Sequence, residues 1–320
     1  MSEQYAFAVS AVRAMETELI TPQQLERLIS AKDESDLLDM LESMGLDLRP
    51  DPEAALKKYK ADAFDSLRAL APDCEELKIF TALNDMHNIK AALKCMAAGE
   101  RDARRFYLYP TELDLSSLLG TLEGRSFYEL KKPYDFVAET GCEIISGSLD
   151  GQLLEAFIDK ETLKLMKKTA EQSGSELVKK YIDFFVKLCD AKTAFRFSKT
   201  KKNKEFVLSA LCGSDGLDAE ALASFAKKGT DELIAFLSNS EISEGALLLK
   251  DNPPEFEKWG NDRLCEIVGG AKLESFGPDP IFAYYTAVTV QVKAIKMLLV
   301  CKKIGLSAEQ TKERLGELYV

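Results

Sequence analysis

One histidine, His87, and one tryptophan, Trp259, are all that 320 residues hold of those two types. A lone imidazole removes most histidine-based acid–base schemes, and a zinc site needs closely spaced ligand pairs that the chain does not offer. The seven cysteines are odd in number, lie 21 to 53 residues apart and include no C-x-x-C. That is the pattern of a reduced, intracellular protein rather than of a disulfide framework. There is no G-x-x-x-x-G-K-[ST] or G-x-G-x-x-G phosphate cradle, no G-x-S-x-G elbow, no H-E-x-x-H pair and no Asp-rich D-D-x-x-D cluster. Ser198-Lys199-Thr200-Lys201 matches S-x-x-K, but the companion motifs of that acyl-enzyme class are missing, which leaves a serine in a lysine-rich loop.

Positive charge is also short. The formal net charge is −11, and successive thirds of the chain carry −6, 0 and −5, so no basic domain hides inside the mean. Such an anion repels phosphate backbones, which argues against nucleic acid as a partner. The densest basic run, Lys199 to Lys204, reads as a solvated loop. The Met-Ser-Glu-Gln start has neither a basic nor an apolar leader segment, and no secretion is expected. The longest charge-free apolar-rich stretch, Pro280 to Val292, stops at Lys293, short of the roughly 20 residues of a membrane span. The expectation is a soluble protein whose membrane link is indirect. Hydrophobic residues make up 46% of the chain, enough for a core, and the length suggests two or three packing units.

Helix signals dominate. Thr21-Pro22-Gln23-Gln24 and Ser307-Ala308-Glu309-Gln310 are capping boxes, each with a hydroxyl at N-cap and a glutamine at N3. Asp51-Pro52 and Asp279-Pro280 predict two more starts, with an Asp oxygen facing the orphan N–H groups of the first turn. Behind the caps apolar residues recur at three and four, as in Leu25, Leu28, Ile29, Leu37, Leu38 and Leu41, or in Val288, Val292, Ile295, Leu298 and Leu299. Glycine-containing breaks, among them Gly120 to Gly124 and Gly141 to Gly151, mark loops. Period-two alternation is hard to find, so the fold class is all-α.

The chain repeats itself at intervals of about a hundred residues. Asn88-Ile89-Lys90 resembles Asp190-Ala191-Lys192 and, more loosely, Gln291-Val292-Lys293, with lysines 102 and 101 residues apart. Upstream of each lies a second matching piece: Leu25, Leu28, Leu37 and Leu41; Leu115, Leu118, Phe127 and Leu130; Leu222, Phe225, Leu233 and Leu237. These spacings predict three similar helical subdomains of about 100 residues, at 1–106, 107–213 and 214–320, with the termini open to being shared between them. Units of that size close around an axis more naturally than they stack into a solenoid, which implies a pseudo-threefold funnel. The alternative is chance recurrence of lysine in amphipathic helices. Lys90, Lys192 and Lys293 are then either structural lysines, stems on apolar neighbours and heads on carboxylates, or a ring around a cavity. Trp259 reads as a core or interface anchor and His87 as a helix-surface residue. No catalytic, cofactor-binding or metal-binding residue emerges. By elimination the surface binds proteins.

At full length the chain resembles a known family. The opening YAFAVSAVRAMETELITPQQLERLISAKDESDLLDML, the middle LNDMHNIKAALK and above all the ending FGPDPIFAYYTAVTVQVKAIKMLLVCKKIGLSAEQTKERLGELYV are similar to the C subunits of the V/A-type rotary ATPases, the counterparts of the d subunit of eukaryotic V-ATPases. The central copy departs from the first, with Asp190-Ala191-Lys192 in place of N-I-K and an unusually basic loop after it. The resemblance implies a helical funnel without a nucleotide site or cofactor, peripheral on the cytoplasmic face of the membrane. Its partners would be central-shaft subunits of the D and F type and the membrane proteolipid ring. The implied function is a non-catalytic rotor adaptor that passes torque between ATP turnover in a separate head and transport of H⁺ or Na⁺. An acidic surface complementing basic loops on those partners is a further expectation, and assembly should weaken as salt rises.

Overall fold

The computed structural model describes residues 5–148, 151–200 and 202–319. The first four residues and Lys201 of the basic run fall outside it. Sixteen α-helices account for most of the described residues, with short 3-10 turns between some of them and no strand. In chain order they are α1 (Ala6–Glu16), α2 (Pro22–Ile29), α3 (Glu34–Ser43), α4 (Pro52–Leu70), α5 (Lys78–Ala97), α6 (Leu118–Glu123), α7 (Tyr134–Ser148) and α8 (Gly151–Ser173). Then follow α9 (Glu176–Ser198), α10 (Lys204–Ala210), α11 (Ala219–Lys228), α12 (Thr230–Leu237), α13 (Ser243–Asp251), α14 (Pro253–Gly269), α15 (Asp279–Lys303) and α16 (Ala308–Arg314). The fold is all-α, as the periodicity indicates.

Local chemistry sets most helix starts. Thr21 Oγ1 accepts from Gln24 N at 3.3 Å while Gln24 Oε1 accepts from Thr21 N at 2.8 Å, and Ser307 and Gln310 repeat the exchange at 3.2 and 3.1 Å. Asp51 Oδ1 accepts from Glu53 N and Ala54 N, both at 3.1 Å. Asp279 departs from the expectation. Pro278 occupies the N-cap of α15 without a side-chain cap, and Asp279 Oδ1 accepts from the Ser175 hydroxyl at 2.6 Å, a tertiary bond in place of a local one. Gly141 departs too. It lies inside α7 rather than in a loop, because a Cβ there would come within 2.5 Å of Leu93 Cδ1 on α5, so helix approach and not chain reversal calls for glycine.

The chain divides into two compact units. One joins residues 1–76, 175–181 and 247–320, and so contains both ends of the chain. Its centre is α15, packed by α1, α3, α4, α14 and α16. Leu28, Leu37, Leu41 and Leu56 share a core with Val292, Ile295 and Leu298, and Phe64 meets Tyr285 edge-on at 5.1 Å between ring centroids. Arg13 Nη2 ties α1 to the end of the α14 segment through the carbonyls of Ala271 and Glu274, at 2.6 and 2.7 Å. Length and composition would let α15 cross a membrane, the one helix among the described residues of which this holds. However, 56% of that apolar window is buried by its neighbours, the condition of a core helix.

The other unit joins residues 77–174 and 182–246. Helix α5 packs on α6, α7 and α8, with Ile89, Ala92 and Leu93 in one core with Leu118, Leu122, Val137, Ala138, Leu154 and Ile158. Helix α10 lies between α8 and α11, and α8 holds the end of it: Lys160 Nζ donates to Leu208 O at 3.0 Å and Lys167 Nζ to Gly213 O at 2.9 Å.

Candidate partner-binding surfaces

Lys90, Lys192 and Lys293 lie on three long helices, α5, α9 and α15. The feature these segments share most closely is the residue two positions before each lysine. Asn88, Asp190 and Gln291 are 0%, 1% and 2% exposed. Each accepts a backbone N–H from a loop far away in sequence. Asn88 Oδ1 accepts from Leu108 N at 2.7 Å, Asp190 Oδ1 and Oδ2 from Cys212 N and Gly213 N at 3.0 and 2.6 Å, and Gln291 Oε1 from Ile20 N at 2.7 Å. The amides use their donors as well, Asn88 Nδ2 on Leu108 O at 2.9 Å and Gln291 Nε2 on the Tyr59 hydroxyl at 3.1 Å. A buried backbone N–H without an acceptor is costly, so each side chain latches a loop to its helix.

Each latched loop leads into one of the short helical pieces that self-comparison pairs with the lysines. After Leu108 come α6 and the turn Phe127–Glu129, after Gly213 come α11 and α12, and after Ile20 come α2 and α3. The pairing is shifted by one copy from chain order. The 115–130 piece packs on α5, which precedes it. The 222–237 piece is bonded to α9, also before it, through Ser198 Oγ and Thr230 Oγ1 at 2.9 Å, and the turn that follows it through the ion pair of Lys187 with Glu241. The 25–41 piece has no helix of this kind before it, and it packs on α15 near the other end of the chain.

On α5, three further side chains strengthen the first latch. Asp85 Oδ2 accepts from Glu112 N at 3.0 Å and Oδ1 from Leu113 N at 3.2 Å, while Asn84 Nδ2 donates to Pro110 O at 2.8 Å and the ring Nε2 of His87 lies 3.1 Å from Phe106 O. Burial holds His87 toward its neutral form, so it acts as a structural donor on the helix flank. Burial pushes the Asp85 carboxyl up to about 6, against the pull of the backbone donors Glu112 and Leu113 and the Tyr134 hydroxyl. A carboxyl carbon-13 titration should therefore find its midpoint near pH 6; a midpoint at or below 4 would contradict this account.

Lys192 lines a cleft, and Lys90 pairs with a carboxylate of its wall. Lys90 Nζ pairs with Asp159 at 2.6 Å, and one turn on Lys94 Nζ pairs with Glu155 at 2.5 Å. Asp159 also lines a cleft of about 340 Å³ with Lys192, Thr193, Arg196, Cys189 and Phe185 of α9. Lys94, then Lys90 and Arg196, hold the Glu155 carboxyl below its ordinary range. Lys90, Lys94, Lys192 and Arg196 thus lie near Asp159 and Glu155. Lys293 lies in the other unit, exposed on α15, with Lys296 one turn away and Lys60 of α4 beside them. Burial, then Lys293 and Lys296, pull the Lys60 ammonium down to about 8, and its head lies over the Tyr285 ring at 5.9 Å.

Other sequence candidates have structural partners. Trp259 packs against Phe256 on α14 at 5.6 Å. In the basic run, Lys199 sits over the Phe195 ring at 3.9 Å, Lys202 over Phe206 at 4.3 Å, and Lys204 pairs with Glu220 at 2.6 Å, so these three are held locally rather than freely solvated. What sequence reasoning passed over was the polar residue two before each lysine and the basicity around Lys60. The first signal was already in the self-alignment, where Asn88, Asp190 and Gln291 occupy one column. The second needs the packing of α4 on α15 and has no sequence mark.

Comparison with known proteins accords with this architecture. The profile of the family described as ATP synthase (C/AC39) subunit matches residues 8–314. The C subunit of the V-type sodium ATPase of Enterococcus hirae is 25% identical over 324 residues, covering 96% of this chain and 97% of its own length. With nearly all of its length matched, the chain belongs to the ATP synthase (C/AC39) subunit family, and so to the components of V-type rotary ATPases.

Proposed function

We propose that this chain is the non-catalytic adaptor of the central stalk, joining the central-shaft subunits of the D and F type to the membrane proteolipid ring and passing torque between them. In this reading it is a peripheral protein on the cytoplasmic face of the membrane, and three similar helical subdomains, each a long helix with the short piece latched to it and the last sharing the 25–41 piece from the chain's start, close into a funnel. The observation that carries the reading, beyond family membership, is the recurring latch at Asn88, Asp190 and Gln291 with its shift by one copy. A repeat whose first short piece completes its last long helix is what ring closure requires of an unbroken chain. Lys90, Lys192 and Lys293 then occupy equivalent helices related by rotations near 120°, each at a solvent-facing basic spot. Close-packed helices suit a torque element because they resist deformation.

The test is extraction of the motor under mild conditions with a tag on this chain. A long coiled-coil shaft subunit and a proteolipid ring should copurify with it in constant proportion, and the chain should dissociate from them as salt is raised. Recovery of the chain alone, while the rest of the motor stays assembled, would overturn the reading. ATP should leave the melting temperature of the isolated chain unchanged; a reproducible rise would contradict the non-catalytic assignment.

A further inference from the structure

The C-terminal half of α15 turns one face away from the core. Met297, Val300 and Ile304 are 38%, 54% and 60% exposed, and their spacing of three and four puts them on one stripe. Lys293 and Lys296 continue that face one turn toward the N-terminus, so the whole strip runs for about 16 Å along the helix. Deeper still on the same face lie Thr289, whose Oγ1 is buried without a hydrogen-bond partner, and Tyr285, over whose ring Lys60 reaches from α4. Among the described residues no carboxylate pairs with Lys60, and the charged groups that face it, Lys293 and Lys296, are cations. An apolar stripe therefore runs into a cluster of three lysines in which the partly buried Lys60 ammonium has no paired carboxylate among the described residues, while Glu53 of α4, paired with Lys57, also faces Lys296.

We propose that this face docks an acidic amphipathic helix of a neighbouring subunit, whose apolar side chains cover Met297, Val300 and Ile304 and whose carboxylates reach Lys60 and Lys296. That the helix belongs to a motor subunit rests on the function proposed above. Charge complementarity selects the occupant. On a chain of net charge −11 most of the surface repels an acidic partner, so a local lysine cluster both attracts it and fixes its register. A helix fits because a stripe spaced at three and four presents the ridges another helix packs into. A lipid surface fits less well, since the stripe carries no Trp or Tyr anchor and Lys60 is partly buried beside it rather than exposed.

The test titrates the full chain into a fluorescent synthetic helix whose glutamates flank an isoleucine–leucine stripe, and into a twin with every glutamate changed to lysine. The glutamate helix should bind and the twin should not. V300E and K60M should each weaken binding by about tenfold or more. L273E, a change at another exposed apolar residue, should leave it unchanged. Equal binding of the twin, or indifference to V300E, would overturn the proposal. So would binding to vesicles of phosphatidylglycerol and phosphatidylcholine that is lost in V300E while the glutamate helix is ignored. Copurification separates this proposal from the function on which it rests. If the wild-type chain and V300E join the motor equally well, the docking face is wrong and the stalk reading stands. If the glutamate helix binds in a Val300-dependent way but the wild-type chain never joins a motor, the docking face stands and the stalk reading falls.

Discussion

Replacing Lys60 by methionine is expected to stabilise the protein at neutral pH and to weaken its binding. The side chain lies between α4 and α15 with its head over Tyr285, and burial, then Lys293 and Lys296, bring it from 10.5 to about 8. That difference corresponds to at most about 3 kcal/mol, less whatever solvent reaches the head. The folded chain holds this proton less tightly than the unfolded chain. Below about pH 8 both states are charged and the whole cost is present. Between about 8 and 10.5 the unfolded chain keeps the proton while the folded chain releases it, so the cost shrinks, and above that window the charge-dependent part is gone. Methionine fills similar space without the charge and forfeits only a distant cation–π contact, worth roughly 0.5–1 kcal/mol. Urea unfolding should accordingly show K60M more stable than the wild type at pH 7, with the gap closing as pH approaches 10.5. A gap that widens with pH, or a destabilised K60M at pH 7, would refute this account. A residue that costs stability at rest and is tied to a binding face is the trade-off expected of a functional site.

The second large effect concerns the latches. Asp190→Ala removes the acceptor for two backbone N–H groups, those of Cys212 and Gly213, and should cost about 2–4 kcal/mol. Part of the loss is returned, because burial already raises the Asp190 carboxyl above its ordinary range and its removal abolishes a buried charge. Asn88→Ala and Gln291→Ala each free a single N–H, that of Leu108 or of Ile20, and should cost about 1–3 kcal/mol. Lys192→Met, on the cleft two positions along, should change stability by less than about 1 kcal/mol. Denaturant midpoints measured on all four variants test the point that the structural equivalence lies in the polar column rather than in the lysines. Latch variants as stable as the wild type, beside a strongly destabilised Lys192→Met, would reverse it.

What could be read in advance was chemistry acting within a few residues. The Thr21–Gln24 and Ser307–Gln310 boxes close as their spacing indicates, since both partners lie within one turn. Asp279 fails as a local cap because Ser175, 104 positions away, offers a better-placed donor, and no local pattern reveals that. Gly141 looks like a break in the sequence and is a contact in the fold, its missing Cβ making room for Leu93. Leucine spacing marks the three short helical pieces, but the 115–130 piece packs on α5, the 25–41 piece on α15 and the 222–237 piece is bonded to α9, none of them the long helix that chain order suggests.

The sequence by itself therefore determined the all-α class, most helix starts, the recurrence at about a hundred residues and the family, since each follows from short-range periodicity or from motifs legible in one dimension. Only the tertiary structure decided which helix each loop is latched to, that Lys90 and Lys192 meet around Asp159 while Lys293 faces Lys60, and where an acidic chain turns basic. The physical reason is that caps and amphipathic faces are set within a turn or two of helix. Burial and charge pairing, by contrast, depend on which distant segments come to lie side by side.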